Sequence, residues 1–257
     1  MDLHYEIKGN GKPVILLHSG AMDSRDWEFI TPHLSKSFKV ITLDVRGAGR
    51  SPIPNEPIDY VEDLRKLLDH LKIKKGALVG HSLGGQIATD FTLTYPKRVS
   101  QLVLVAPGLS GFKFSSEHAE LESRVSKAAP DVEKMTNITL SEPSWSVSIG
   151  KAYDLLREMM IHNIQKSFDW KTFETVSFNS AMERLGDIKT KTLFIIGEED
   201  SEDLFKIAQL YKEIPNINFV SIPGANHIIT LTHPKKVSDH ISHFFDLTRM
   251  VISRKHR

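Results

Sequence analysis

The chain has 257 residues, 40% of them hydrophobic and 25% charged, which suits one globular unit with a large core. A net charge of +1 gives no general attraction to nucleic acid or to a membrane surface. The absence of cysteine excludes disulfides, thiolate metal sites and a cysteine nucleophile.

The N-terminal Met1–Tyr5 has no basic start and no apolar stretch after it, so no signal peptide is expected. No apolar run approaches the roughly 20 residues of a membrane span, and a cytoplasmic protein is the expectation. Leu3, Tyr5 and Ile7 alternate with polar residues, then Gly9-Asn10-Gly11 turns into the apolar Val14–Leu17, which predicts a β-hairpin. Phe38–Leu43 predicts a third strand. Ile58, Val61, Leu64, Leu68 and Leu71 recur at the spacing of an amphipathic helix. Strand, helix and strand follow at Ala77–Val79, Leu83–Tyr95 and Leu102–Val105, with Pro96 closing the helix.

From Phe112 to Leu185 the rhythm changes. This stretch shows helical segments, notably Lys151–Gln165, and no strand. It carries Met135, Met159, Met160 and Met182 with Trp145, Trp170, Phe168 and Phe173, residues that suit an apolar pocket or simply pack an inserted layer onto the body. Strands resume at Thr192–Ile196 and Asn218–Ile222, and Val237–Phe245 makes a last helix before the short basic tail Arg254-Lys255-Arg257. Alternating strands and helices predict an α/β fold: a mostly parallel sheet covered on both faces. The division expected is a core over 1–111, a helical cap over 112–186 inserted between two strands, and a second part of the core over 187–257.

Three turns at predicted strand ends carry polar residues, and strand C-terminal ends are where open α/β sheets place their sites. After Val14–Leu17 comes His18-Ser19-Gly20-Ala21. After the third strand comes Asp44-Val45-Arg46-Gly47-Ala48-Gly49-Arg50-Ser51. After Ala77–Val79 comes Gly80-His81-Ser82-Leu83-Gly84, a serine at a strand-to-helix corner flanked by glycines that leave room for a strained turn. Arg46 could clamp a substrate carboxylate, but its place in a glycine-rich loop favours a structural role. A metal held by His233, His240 and His243 finds no supporting carboxylate pattern.

Together these turns resemble the α/β-hydrolase family, in particular its lid-bearing members, over nearly the whole chain outside the insertion. The resemblance implies a serine nucleophile at Ser82, an acid after the sixth strand and a histidine before the last helix. Asp200 in Gly197-Glu198-Glu199-Asp200 matches the acid; Glu198, Glu199, Glu202 and Asp203 are rivals read as a solvated acidic face. His227 in Pro223-Gly224-Ala225-Asn226-His227 matches the base, with His81 read as packing and His233-Pro234 as the start of the last helix. It also implies an oxyanion hole from the backbone N–H groups of Leu83 and Gly20, although Ser19 stands where relatives usually carry glycine. The activity implied is hydrolysis of a small carboxylic ester through an acyl-enzyme, with lactone, thioester or vinylogous carbon–carbon hydrolysis, or slow-turnover ligand sensing, as alternatives on the same apparatus. A small acyl substrate, no cofactor, no metal and no nucleic-acid partner are expected. Serine at the elbow sets the chain apart from the dehalogenase and epoxide hydrolase branches, which carry aspartate there.

Overall fold

The computed structural model describes residues 1–176 and 180–254, with only the backbone course given for 247–254. Seven strands form one sheet: Tyr5–Lys8 (β1), Pro13–Leu17 (β2), Lys39–Leu43 (β3), Gly76–His81 (β4), Val99–Val105 (β5), Thr192–Gly197 (β6) and Ile217–Ile222 (β7). Their spatial order is β1-β3-β2-β4-β5-β6-β7. Every neighbouring pair is parallel except β1 with β3.

The predicted hairpin is therefore corrected. The chain does turn between β1 and β2, but β3 lies between them, pairing Tyr5 with Leu43 on one side and Leu17 with Leu43 on the other. The turn crosses the segment that feeds β3: a Cβ at Gly9 would lie 2.2 Å from the Ser35 carbonyl oxygen and 2.4 Å from that of Phe38. Glycine spacing between two strands signals a reversal of direction and says nothing of what fits between them. As an edge strand, β1 also leaves Ile7 exposed despite its alternating pattern.

Helices cover both faces: Thr31–Leu34 (α1), Tyr60–His70 (α2), Leu83–Thr94 (α3), Ser116–Lys127 (α4), Val132–Leu140 (α5), Lys151–Ser167 (α6), Glu202–Tyr211 (α7), Ile229–Thr232 (α8) and Pro234–Arg254 (α9). Helix α2 starts later than its apolar spacing suggests, because Asp59 caps it by accepting the Glu62 N–H at 2.8 Å. Ile58 instead makes an isolated parallel bridge with Thr175. Helix α9 starts earlier than predicted, with Pro234 at the first helical position, where its missing N–H costs nothing. The Lys255–Arg257 part of the basic tail lies outside the described residues.

Successive residues of the central strands feed opposite cores. Ile15, Leu17, Leu102 and Leu104 pack with α2, α3 and α7, while Val14, Leu16, Val103 and Val105 pack with α9. Between β5 and β6 the chain runs through α4, α5 and α6, with no strand among the described residues there. Helix α6 buries Leu156, Met159, Met160 and Asn163, one face at helical spacing. Three of these join Met22, Ile228 and Leu231 in a third apolar cluster that fastens the insertion to the loops at the strand ends. Asn163 Oδ1 accepts the Gly49 N–H at 2.7 Å, and Lys166 Nζ donates to the carbonyls of Gly49 (2.7 Å), Ala48 (3.3 Å) and Ser51. Among the described residues no helix is long and apolar enough to cross a membrane.

Candidate active site

Strand β4 ends at His81 and α3 begins at Leu83, so Ser82 alone turns the corner, at φ +50° and ψ −112°. A side chain held there costs roughly 1–3 kcal/mol and persists only under outside constraint. The constraint is visible. Ser82 N–H donates to the Val105 carbonyl at 3.0 Å, and its own carbonyl accepts from Gln86 (3.0 Å) and Gly108 (2.9 Å). A Cβ at Gly80 would sit 2.2 Å from the Gly84 carbonyl oxygen, and one at Gly84 would sit 2.1 Å from that of Leu17. Neither glycine can be enlarged without opening the corner.

Two loops bring the partners that the sequence pointed to. His227, after β7, faces the serine with Nε2 3.0 Å from Ser82 Oγ. Asp200, after β6, lies 3.2 Å from His227 Nδ1 through Oδ2, while its Oδ1 accepts the Ser201 N–H at 2.8 Å. Both side chains are buried. Such a series can draw a proton from the hydroxyl while the carboxylate fixes the imidazole tautomer. Of the rival acids, Glu198 accepts from Ser221 Oγ, and Glu199 and Glu202 are exposed. Asp203 is a correction: it is buried, and it accepts the Ser115 N–H at 2.9 Å, tying α7 to the start of the insertion.

The His227 loop is moored to the insertion. The His227 N–H donates to the Ser144 carbonyl at 3.0 Å, and Asn226 Nδ2 donates to the carbonyls of Pro143 (3.0 Å) and Ser146 (2.6 Å). The Trp145 ring lies 5.4 Å from the His227 ring.

Behind the imidazole lies a buried charge pair with no signal in the sequence. His81 does more than pack: Nδ1 donates to Asp26 Oδ2 at 2.8 Å and Nε2 donates to the His227 carbonyl at 2.9 Å. With an acceptor at each nitrogen the ring carries both protons. Burial opposes that charge, but the Asp26 carboxylate outweighs it and holds His81 above the ordinary imidazole range. Burial likewise opposes ionisation of Asp26, and His81 holds it below its ordinary value. Asp26 also accepts the Ser19 N–H at 3.0 Å and Thr230 Oγ1 at 2.5 Å. One carboxylate thus ties the His18–Ala21 turn, the end of β4 and helix α8.

The Ser19 N–H is spent on Asp26, and Gly20 follows it at the elbow. A Cβ on Gly20 would lie 3.9 Å from Leu83 Cβ, and Gly84 N–H donates to the His18 carbonyl at 3.1 Å, so the two turns are locked together. His18 is fixed as well, with Nδ1 donating to the Ser19 carbonyl at 2.7 Å and Nε2 accepting the Val45 N–H at 3.0 Å.

An apolar cavity of about 260 Å³ opens beside Gly20 and Leu83, lined by Met22, Ile164, Trp170 and Phe173 among others. The insertion's large side chains therefore divide. Trp170 and Phe173 line this cavity, Phe173 from an exposed position, Met159 and Met160 pack, and Phe168 is exposed away from it. Arg46 is engaged by Asp63 (2.8 and 2.9 Å) and Asp2 (3.1 and 3.2 Å), which is the structural role expected of it. Among the described residues no group of three or more His, Asp or Glu side chains could hold a metal ion.

A family model described as alpha/beta hydrolase fold matches residues 12–234. A putative 2-succinyl-6-hydroxy-2,4-cyclohexadiene-1-carboxylate synthase of Bacillus subtilis is 28% identical over 90% of this chain and 89% of its own length. A pimeloyl-[acyl-carrier protein] methyl ester esterase of Legionella pneumophila is 25% identical over 91% of this chain and 95% of its own. Among solved structures, a thermophilic esterase from Thermogutta terrifontis superposes with a TM-score of 0.80 over 95% of this chain and 93% of its own, at 22% identity, a likeness of fold.

Proposed function

The chain belongs to the alpha/beta hydrolase fold family, and we propose that within it the protein is a serine hydrolase of small carboxylic esters, acting through an acyl-enzyme on Ser82. The observation that carries this reading is the series Ser82 Oγ, His227 Nε2, His227 Nδ1, Asp200 Oδ2, with separations of 3.0 and 3.2 Å. The esterase among its relatives lends the reaction class support.

Ser82 Oγ attacks the ester carbonyl carbon as its proton passes to His227 Nε2. The carbonyl oxygen becomes an oxyanion, stabilised by the N–H groups of Leu83 and Gly20, and Asp200 steadies the imidazolium. As the tetrahedral centre collapses, the bond to the alcohol oxygen breaks and His227 returns its proton to that oxygen. Water then repeats the attack on the acyl-serine, giving its proton to His227. The acid departs and Ser82 recovers the proton, so ester and water become acid and alcohol. On this reading residues 112–186 are a cap over a core made of 1–111 and 187–257, and the protein works in the cytoplasm without a cofactor.

The test is stopped-flow hydrolysis of p-nitrophenyl esters across acyl lengths. A burst of nitrophenol followed by steady turnover, abolished in Ser82→Ala, is expected. Asp200→Asn is expected to slow turnover by about 10⁴-fold, as the loss of the orienting carboxylate does in serine proteases. No burst at any acyl length, or a burst that survives in Ser82→Ala, overturns the reading.

A further inference from the structure

Helix α3, which starts at the elbow, turns Leu83, Gln86, Ile87 and Asp90 toward a second cavity of about 320 Å³. Tyr60, Ser110 and Ser180 lie among its other walls, and Leu83 and Tyr60 are shared with the apolar cavity, so the two hollows adjoin. Asp90 is 7% exposed. Its Oδ2 accepts from Ser110 Oγ at 2.6 Å, whereas Oδ1 is buried without a partner among the described residues. Among the described residues no lysine, arginine or histidine lines this cavity. A buried carboxylate with a free oxygen and no counter-charge carries a standing desolvation cost, which a ligand can relieve.

We propose that this cavity is a subsite for a primary ammonium group on the far end of the ester substrate, held by Asp90. The proposal rests on the esterase reading, because the length of the substrate is counted from Ser82. Asp90 stands seven residues beyond Leu83, about 10 Å along the helix at 1.5 Å per residue. The acceptor set fits an ammonium better than a guanidinium. Asp90 offers one free oxygen, so the two-pronged pairing of arginine is closed, while three N–H donors on one nitrogen can share Asp90 Oδ1, the serine hydroxyls and the Gln86 side-chain oxygen. A metal ion would need further carboxylates or imidazoles, and the described lining has none.

The test compares esters of equal length that end in an ammonium or in a methyl group, placed on the acyl side (p-nitrophenyl aminooctanoate against nonanoate) and on the alcohol side (aminooctyl acetate against nonyl acetate). The ratio of kcat/KM is taken within each protein, so any general change in activity cancels. The wild type is expected to favour the ammonium-ended ester by about tenfold or more in one of the two series, the scale of a charge-assisted hydrogen bond. In Asp90→Asn that ratio falls to about one. A wild-type ratio near one in both series, or a preference unchanged in Asp90→Asn, overturns the subsite. Should neither protein hydrolyse any ester, the esterase reading fails and calorimetry with octylammonium decides the subsite alone. Binding to Ser82→Ala that is lost in Ser82→Ala/Asp90→Asn supports it, and equal or absent binding overturns it.

Discussion

Asp26 and Asp90 are both carboxylates sealed inside this molecule, within a short distance of the same elbow, and their surroundings are opposite. Asp26 receives His81, the Ser19 N–H and Thr230 Oγ1, and ionises below its ordinary value. Among the described residues Asp90 receives Ser110 Oγ alone, and burial pushes its carboxyl up to about 6. Burial is common to both, so burial does not decide the outcome. The number and charge of the donors does. Asp26 has its charge balanced inside the protein and serves to join a turn, a strand end and a helix, whereas Asp90 keeps an unanswered charge at the wall of a cavity.

Removing each acid would separate the two cases. Asp26→Ala removes the acceptor of three buried donors and the charge that keeps the buried His81 protonated, and urea unfolding near neutral pH is expected to show a loss of about 3–5 kcal/mol. No measurable loss would mean that the pair contributes nothing to the fold. Asp90→Asn should move the other way. The folded chain holds the Asp90 proton more tightly than the unfolded chain does between about pH 4 and pH 6, so its contribution to stability falls as pH rises through that window. Above about pH 6 the whole penalty stands, and Asp90→Asn is expected to gain about 2–3 kcal/mol there, an upper figure for a shift of this size, and nothing below about pH 4. A gain independent of pH would point to packing in place of charge. The smallest effect expected is that of Thr230→Val, which leaves Asp26 two of its donors and should cost about 1 kcal/mol, read from the same unfolding curves.

The two acids also mark where sequence reading stops. The central strands are continuous apolar runs because helices cover both faces, and α2 and α3 carry their apolar residues at helical spacing, so the element order was legible. The neighbour of β1 was not, since strand pairing belongs to the assembled sheet. Ser82, Asp200 and His227 could be picked out because each follows a strand within a recognisable turn. Asp26 and Asp90 sit at positions where an aspartate would ordinarily face water, in a short turn before Trp27 and on a helix. Only the fold shows that the first is enclosed with His81 and the second faces a cavity. The moorings of Asn226 and His227 were hidden for a similar reason: their partners are backbone carbonyls, which every residue possesses.

Those moorings bear on how this protein could be rebuilt. The segment 143–146 belongs to the stretch inserted between β5 and β6, and it supplies the carbonyls that hold the turn before α8. A chimera that exchanges the insertion for one from a relative therefore changes more than the insertion itself. Unless the donor presents three carbonyls at matching places, the imidazole loses its alignment together with the old insertion. Transplants whose boundaries fall inside α5 and α6 and keep the short span between them intact avoid that penalty.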